Sequence, residues 1–404
     1  MCKYRCGQSM SANDYKNSDT FCVLPWNHLC VRPDEALKPC CRYLAVNDAV
    51  DNPVNVNLND LQQNGISAMN NDYLKKLRQD LLDGVKRVEC TKCYQQEDAT
   101  KGLSDRTSLR LFHMRGFDPY IKENYTNEFD QVRYIEMSFD NICNLQCRMC
   151  DSKFSSKLQK RDKFLGEEVY KKLEPTFSKF DNIDLSGLVH IKLLGGEAFI
   201  SPNFIKFLEY IESRSNPNNI TMEIITNGTT IPSKKIINKL NKYNKLVINV
   251  SLDAYDKAND YQRHGSSYIN VFNNAKTYEQ IFTSIQIGFH STVSILTANK
   301  LADTLNFLIE KHKYHVSVDF VRYPRYMSLL HVPESYVTWV LEQNKHNTTA
   351  TRLINSFIKS GEYNEKHWND FFDTTKKLDT FYKTNIVDYN PALVEYLKEH
   401  NYGF

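Results

Sequence analysis

The stretch Met137-Ser138-Phe139-Asp140-Asn141-Ile142-Cys143-Asn144-Leu145-Gln146-Cys147-Arg148-Met149-Cys150 decides how the rest of the chain is read. The residues Arg133–Phe139 that lead into it read as a strand, and the strand delivers the chain into a loop. Three thiols then follow at intervals of four and three. Such a loop can wrap one face of a cubane iron–sulfur cluster, each sulfur taking one iron. The fourth iron then has no protein ligand, and an open coordination position is what a reactive metal centre requires. A zinc knuckle using the same three cysteines and a distant fourth ligand is the alternative, but zinc sites usually present paired Cys-x-x-Cys units.

Outward from this loop the texture is that of alternating strands and helices. Strands are expected at Arg133–Phe139, His190–Leu194, Ile220–Thr226, Leu246–Leu252, Ile285–Ser294 and Val316–Val321, with helices near Lys153–Leu173, Pro202–Ser213, Ser233–Leu240, Tyr268–Phe282 and Asn299–His312. Ser201-Pro202 is a strong helix start, because the hydroxyl caps free N–H groups and proline in the first turn loses no bond. Six β/α repeats with short links predict a parallel sheet, and six units make an open, partial barrel. Upstream, Phe21–Pro33 and Asp34–Val46 predict two short strands around a turn at Pro33-Asp34-Glu35, and Leu74, Leu77, Leu81 and Leu82 mark one face of a helix over Asn70–Leu82 that stops at Gly84. Beyond about Leu330 the chain reads as polar and helical, with Tyr336, Trp339, Phe357, Trp368, Phe371 and Phe372 as its packing residues.

Three further motifs stand at expected strand ends. Gly195-Gly196-Glu197 follows the second strand, Thr226-Asn227-Gly228 the third and Ser251-Leu252-Asp253 the fourth, with Arg263 a short way on. Alone each has a plain reading: a strand-to-helix turn with a solvated glutamate, an Asn-Gly turn, a helix cap, a surface arginine. Placed in order after the cysteine loop, they make the sequence over Arg133–Tyr323 resemble the radical S-adenosylmethionine superfamily. The resemblance implies a partial (β/α)6 TIM-like barrel, a 4Fe–4S cluster on Cys143, Cys147 and Cys150, and S-adenosylmethionine on its open iron. Glu197 would then accept from the cofactor's amino group, with Gly195 and Gly196 allowing close backbone approach. Asn227, Ser251, Asp253 and Arg263 would serve its ribose and carboxylate. One departure is Met149, where the family often has an aromatic residue; methionine can still pack against adenine.

All 11 cysteines lie between Cys2 and Cys150, so the demand for thiols is confined to the first part of the chain. Cys22, Cys40, Cys90 and Cys93 could together ligate either an iron–sulfur cluster or zinc, and spacing alone does not separate the two. Cys41 is the runner-up for Cys40, because adjacent residues on a strand point to opposite faces. Cys30 reads as a packed thiol, and Cys2 and Cys6 as part of a polar tail. The segments Phe21–Trp26, Pro39–Cys41 and Cys90–Tyr94 resemble the twitch domain, a shortened SPASM domain, here placed before the barrel. That resemblance implies an auxiliary Fe–S cluster.

Composition bounds the rest. Fifty-one basic and 48 acidic residues leave a formal charge of +3, which gives no nucleic-acid footprint. No segment is apolar for the ~18 residues a membrane helix needs, and the start lacks a signal-peptide run, so the expectation is a cytoplasmic protein. The domains expected are an N-terminal cluster domain at 1–125, the barrel at 130–325 and a helical region at 326–404. The resemblance implies reductive cleavage of S-adenosylmethionine to a 5′-deoxyadenosyl radical that takes hydrogen from a substrate. Peptide or protein is the leading substrate class, and a sugar or nucleotide-derived molecule the alternative. A flavodoxin- or ferredoxin-like protein would supply electrons. The rival class is a non-catalytic zinc or Fe–S regulatory protein.

Overall fold

The computed structural model describes residues 15, 18–44, 56–99, 110–111, 114, 124–138, 140–171, 173 and 177–402. Cys2, Cys6 and Phe139 lie outside them. The chain divides into two compact units, one of residues 1–139, 175–192 and 209–220, the other of residues 140–174, 193–208 and 221–404. The architecture is α/β with a mostly parallel sheet.

In the first unit, β1 (His28–Val31) runs antiparallel to β2 (Leu37–Lys38) and parallel to β3 (Tyr134–Met137), with Cys30 opposite Glu136. The expected hairpin is therefore present, its turn carrying Glu35 at φ 65°. Its first strand starts later than the sequence suggested, because Leu24–Asn27 forms a helical turn with proline near its start. Pro25 cannot donate to a ladder but fits a first helical turn. Helix α1 (Asp72–Leu82) is capped by the Asn71 side chain and turns its Leu74, Leu77 and Leu81 inward; Gly84 follows at φ 77°. Helix α2 (Thr91–Ala99) carries Cys93. β4 (His190–Leu193) then enters where the N–H groups of Val189 and His190 reach the Arg133 carbonyl.

The second unit holds four parallel strands in sequence order, β5 (Thr221–Thr226), β6 (Lys245–Ser251), β7 (Ile285–Val293) and β8 (His315–Phe320). Between them run α5 (Lys234–Leu240), α6 (Lys257–Gln262), α7 (Tyr268–Ile281) and α8 (Leu301–Leu305), preceded by α3 (Gln159–Leu165) and α4 (Pro202–Arg214). All six strands expected from Arg133 to Val321 form, within two residues at each described end. The helix expected over Lys153–Leu173 contracts to α3, because Gly166 takes the left-handed conformation at φ 74° and closes it.

Strand register separates two faces. Met222, Ile224, Leu246, Ile248, Val250, Phe289 and Val293 alternate onto a fully buried face. The other face is half-buried and polar: Asn249 donates to Glu223 at 2.9 Å and the His290 ring pairs with Ser317 at 2.8 Å. A parallel sheet usually buries apolar side chains on both faces, so this polar face marks where the fold departs from simple packing. The C-terminal helices, α9 (Glu334–Gln343), α10 (Thr348–Ile358), α11 (Glu365–Tyr382) and α12 (Pro391–Glu399), pack through Tyr336, Trp368, Phe371 and Phe372, with Trp339 and Phe357 partly buried against them. Among the described residues, no helix is long and apolar enough to cross a membrane.

Candidate metal centre

The cysteine loop is held by polar side chains rather than by regular structure. Buried Asn141 donates to the carbonyls of Ser152 and Lys171 and accepts from the Leu173 N–H, fixing the turn that opens the loop. Asp140 accepts from the Ile142 N–H, from the Ser201 hydroxyl and from Asn203. Ser201 also caps α4, its hydroxyl accepting from the Asn203 N–H at 3.1 Å, so one residue starts a helix and braces the loop. Arg161, paired with Asp162, donates to the Cys147 and Cys150 carbonyls at 3.1 and 2.6 Å. Opposite, the N–H groups of Gln146 and Arg148 bond the His264 and Gln262 carbonyls.

Cys147 is buried and Cys143 and Cys150 are half-buried. Each thiol feels at least one of the others electrostatically. Burial pushes the Cys147 thiol up to about 12 and raises Cys143 and Cys150 as well. Left alone, then, these groups keep their protons; a metal that binds thiolate must displace them. Among the described residues no three His, Cys, Asp or Glu side chains converge as a single metal ion would require. A cubane asks for something different, since each thiolate takes its own iron. The donor set of three clustered thiols fits that group.

Gly195 and Gly196 both have positive φ, 63° and 59°, and the second is wedged against the cysteine loop. A Cβ on Gly196 would meet the Ile142 carbonyl oxygen at 2.8 Å and the Asp140 carbonyl oxygen at 3.1 Å. The Gly196 and Glu197 N–H groups donate to the Phe154 and Ile142 carbonyls. Gly196→Ala is therefore expected to destabilise the fold by about 1–3 kcal/mol from the backbone conformation alone, and further through the displaced loop. Chemical denaturation measures this, and an unchanged midpoint would refute it.

Glu197 is buried and accepts from the Thr226 hydroxyl at 2.8 Å, the Asn227 N–H at 2.7 Å and the Phe199 N–H at 3.2 Å. Burial raises its pKa, and these donors work against that rise. Asn227 in turn donates to Asn144 at 2.8 Å and comes within 3.8 Å of the Cys143 sulfur. Glu197 and Asn227 thus form one polar group beside Cys143. Asp253 and Arg263 form another: the guanidinium grips the carboxylate with two bonds of 2.8 Å. Burial would lower the Arg263 pKa, but Asp253, Cys147 and Cys150 more than offset it. The sequence suggested that Asp253 and Arg263 face a cofactor separately, whereas in the fold they face each other beside Cys147 and Cys150. Ser251 closes β6 opposite His290. Met149 packs against the C-terminal core. Asp140, Asn141, Arg161 and Asp162 were not visible as site residues from sequence; the buried polar Asp140-Asn141 pair just before Cys143 was the available signal.

Residues 137–297 match the Radical SAM superfamily. That match spans 161 residues, about two fifths of the chain. Among curated relatives, the radical SAM cyclopropyl synthase TigE of Paramaledivibacter caminithermalis is 31% identical over 179 residues, 41% of this chain and 36% of that protein. The antilisterial bacteriocin subtilosin biosynthesis protein AlbA of Bacillus subtilis is 27% identical over 136 residues, 33% and 27% of the two chains. The aligned stretch thus spans about a third of the first relative's length and about a quarter of the second's. Among solved structures, native anSMEcpe with bound AdoMet is similar over 55% of this chain and 62% of that one, at 16% identity and TM-score 0.39. SuiB of Streptococcus suis is similar over 76% and 62%, at 17% identity and TM-score 0.35.

In the first unit, Cys22, Cys40, Cys90 and Cys93 are likewise within electrostatic reach of one another. Burial raises all four thiols, Cys90 to about 12. Cys41 differs: burial pushes it up to about 12, and its next influences are the buried Glu136 and then Lys192. Cys30 bonds the same Glu136 at 3.9 Å. The two adjacent cysteines lie in a bend past the end of β2, so they part at a turn and not by strand alternation.

Proposed function

We propose that the chain is a radical SAM enzyme that takes hydrogen from a peptide or protein substrate. The observation that carries this reading is the wedging of Gly196 against the cysteine loop within the matched radical SAM segment. It sets a buried carboxylate and Asn227 beside thiols that leave one iron of a cubane open. When bound there, the 4Fe–4S cluster and S-adenosylmethionine supply reductive cleavage of the sulfonium and a 5′-deoxyadenosyl radical. The residues do the rest. Cys143, Cys147 and Cys150 would hold the cluster. Glu197, Gly195 and Gly196 would receive the cofactor's amino end, Asn227 and Ser251 its ribose, and Arg263 its carboxylate while Asp253 keeps the guanidinium in place. The polar face of β5–β8, with Glu223–Asn249 and His290–Ser317, suits a polar substrate such as a peptide. That substrate class is favoured by the bacteriocin named for the AlbA relative.

An auxiliary Fe–S cluster on Cys22, Cys40, Cys90 and Cys93, in an N-terminal twitch-like domain, completes the proposal. Those four thiolates would ligate such a cluster fully, and the chemistry it would supply is electron transfer. A flavodoxin- or ferredoxin-like protein would feed the first cluster. Cys40 feels Cys22, Cys90 and Cys93 as well as its neighbour Cys41, whereas Cys41 is engaged chiefly by Glu136, and this supports Cys40 over Cys41 as the fourth ligand. Cys40→Ser is accordingly expected to lose about half the iron of the reconstituted protein and Cys41→Ser to keep it all. The reverse result would exchange the two.

The test of the whole reading is anaerobic reconstitution followed by reduction with S-adenosylmethionine. Absorption near 400 nm, about eight irons per chain and 5′-deoxyadenosine are expected. A colourless zinc protein would discard the reading, and S-adenosylhomocysteine in place of deoxyadenosine would point to methyl transfer.

A further inference from the structure

We infer that Asp379, acting through Arg148, is a positioning residue for the cysteine loop, and that this buried ion pair sets how readily the cluster on that loop is reduced. The inference rests on the cluster reading above and extends it to a helix far outside residues 137–297. Arg148 stands inside the motif, between Cys147 and Cys150, and is 2% exposed. Its Nη2 donates to Asp379 Oδ1 at 2.7 Å and to Thr384 Oγ1 at 2.8 Å, and its Nε to the Tyr261 carbonyl at 2.9 Å. The guanidinium lies 3.7 Å from the Tyr261 ring centroid and 5.3 Å from that of Tyr382. Its Nη1 is buried and finds no partner among the described residues.

Asp379 is the hub of this contact. On the last turn of α11, it also accepts from the Tyr261 hydroxyl at 2.8 Å, the Thr384 hydroxyl at 2.7 Å and the Ile386 N–H at 3.2 Å. The end of α11 is thereby tied both to the loop and to the 261–264 segment, where His264 stacks on Tyr382 at 4.1 Å. The Cys147 and Cys150 carbonyls are already held by Arg161. Arg148 is the other anchor, and it reaches the only carboxylate that an ion pair gives it among the described residues. An arginine is almost never fully buried unless it is paired; here the partner stands 231 residues away in sequence.

Cluster potential responds to net charge, hydrogen bonds and exposure. Reduction adds one negative charge, so a buried cation carried on the cysteine loop favours it and a buried anion paired to that cation opposes it. The pair is nearly neutral as a whole, which gives its two halves opposite signs. A residue that merely holds the fold would have no such sign.

The experiment uses the full-length chain, reconstituted anaerobically, with the EPR signal that changes on adding S-adenosylmethionine titrated against potential. Asp379→Asn is expected to raise the reduced-to-oxidised ratio at fixed poise about tenfold, or ~59 mV for one electron. Arg148→Gln is expected to lower it by a similar factor. Shifts in the same direction, or none, would overturn the inference. Should either variant lose this cluster, Asp379→Glu decides: recovery of iron and signal supports positioning, and failure to recover refutes it. If the wild-type chain gave no S-adenosylmethionine-responsive signal, the cluster reading itself would fall, which is a separate result.

Discussion

Cys147→Ala is expected to abolish S-adenosylmethionine cleavage and to remove about four irons per chain, while leaving the fold intact. The first part follows because no spare donor stands at this position among the described residues. Arg148 points its guanidinium to Asp379, Arg161 to Asp162 and the loop carbonyls, and Asp253 is gripped by Arg263. The two guanidiniums have no lone pair to offer a metal, and Asp253 could turn to replace a thiolate only by leaving the buried Arg263 charge unpaired. Nearby Met149 packs against the C-terminal core and offers only a weak thioether. The second part follows from what the thiol does in the absence of metal. It is a small, buried, protonated group whose loss costs about 1 kcal/mol, because the loop is braced by Asn141, Asp140 and Arg161 and not by the sulfurs. Iron content, absorption near 400 nm and 5′-deoxyadenosine should therefore fall to the level of the apo chain while the far-ultraviolet spectrum is unchanged. A Cys147→Ala protein that kept its iron and its deoxyadenosine would remove the basis of the functional reading.

The contrast between what was and was not legible in the sequence has a physical cause. The six strands from Tyr134 to Phe320 showed because runs such as Ile220–Thr226 and Leu246–Ser251 combine β-branched residues with short, Asn- and Gly-rich links. Cys143, Cys147 and Cys150 showed because ligand spacing in one loop is local information. Local too was the stop after Leu82. What did not show was every feature built from distant residues. β1 looked like half of a hairpin, since nothing near His28–Val31 reveals that its other edge pairs with Tyr134–Met137. Arg148 and Asp379 are ordinary surface residue types until the fold buries them together. Asp253 and Arg263 were read as separate contacts because a sequence shows two charges ten residues apart, not the geometry that lets one saturate the other. Helix α3 proved shorter than its pattern because a single left-handed glycine outweighs the residues beyond it.

That saturation makes Arg263→Gln the most damaging single change expected for stability. Asp253 is fully buried and accepts four hydrogen bonds: two from Arg263, one from Gln262 and one from the Thr292 N–H. It ties the end of β6 to α6 and to β7 at one atom group. Removing the guanidinium leaves a buried carboxylate with two donors and no countercharge, a loss of about 3–5 kcal/mol and a melting point lower by roughly 4–6 °C for a chain of this length. A stability within about 1 kcal/mol of wild type would show that the pair contributes little. Replacing both partners with apolar residues, Asp253→Leu with Arg263→Met, should recover much of the loss, because the desolvation cost vanishes with the charges. The double variant also separates stability from chemistry. If it folds near wild-type stability and binds iron yet no longer binds S-adenosylmethionine, Arg263 serves the cofactor as well as Asp253. If cofactor binding survives, the pair is a structural tie alone, and the carboxylate of the cofactor must be met elsewhere on the loop.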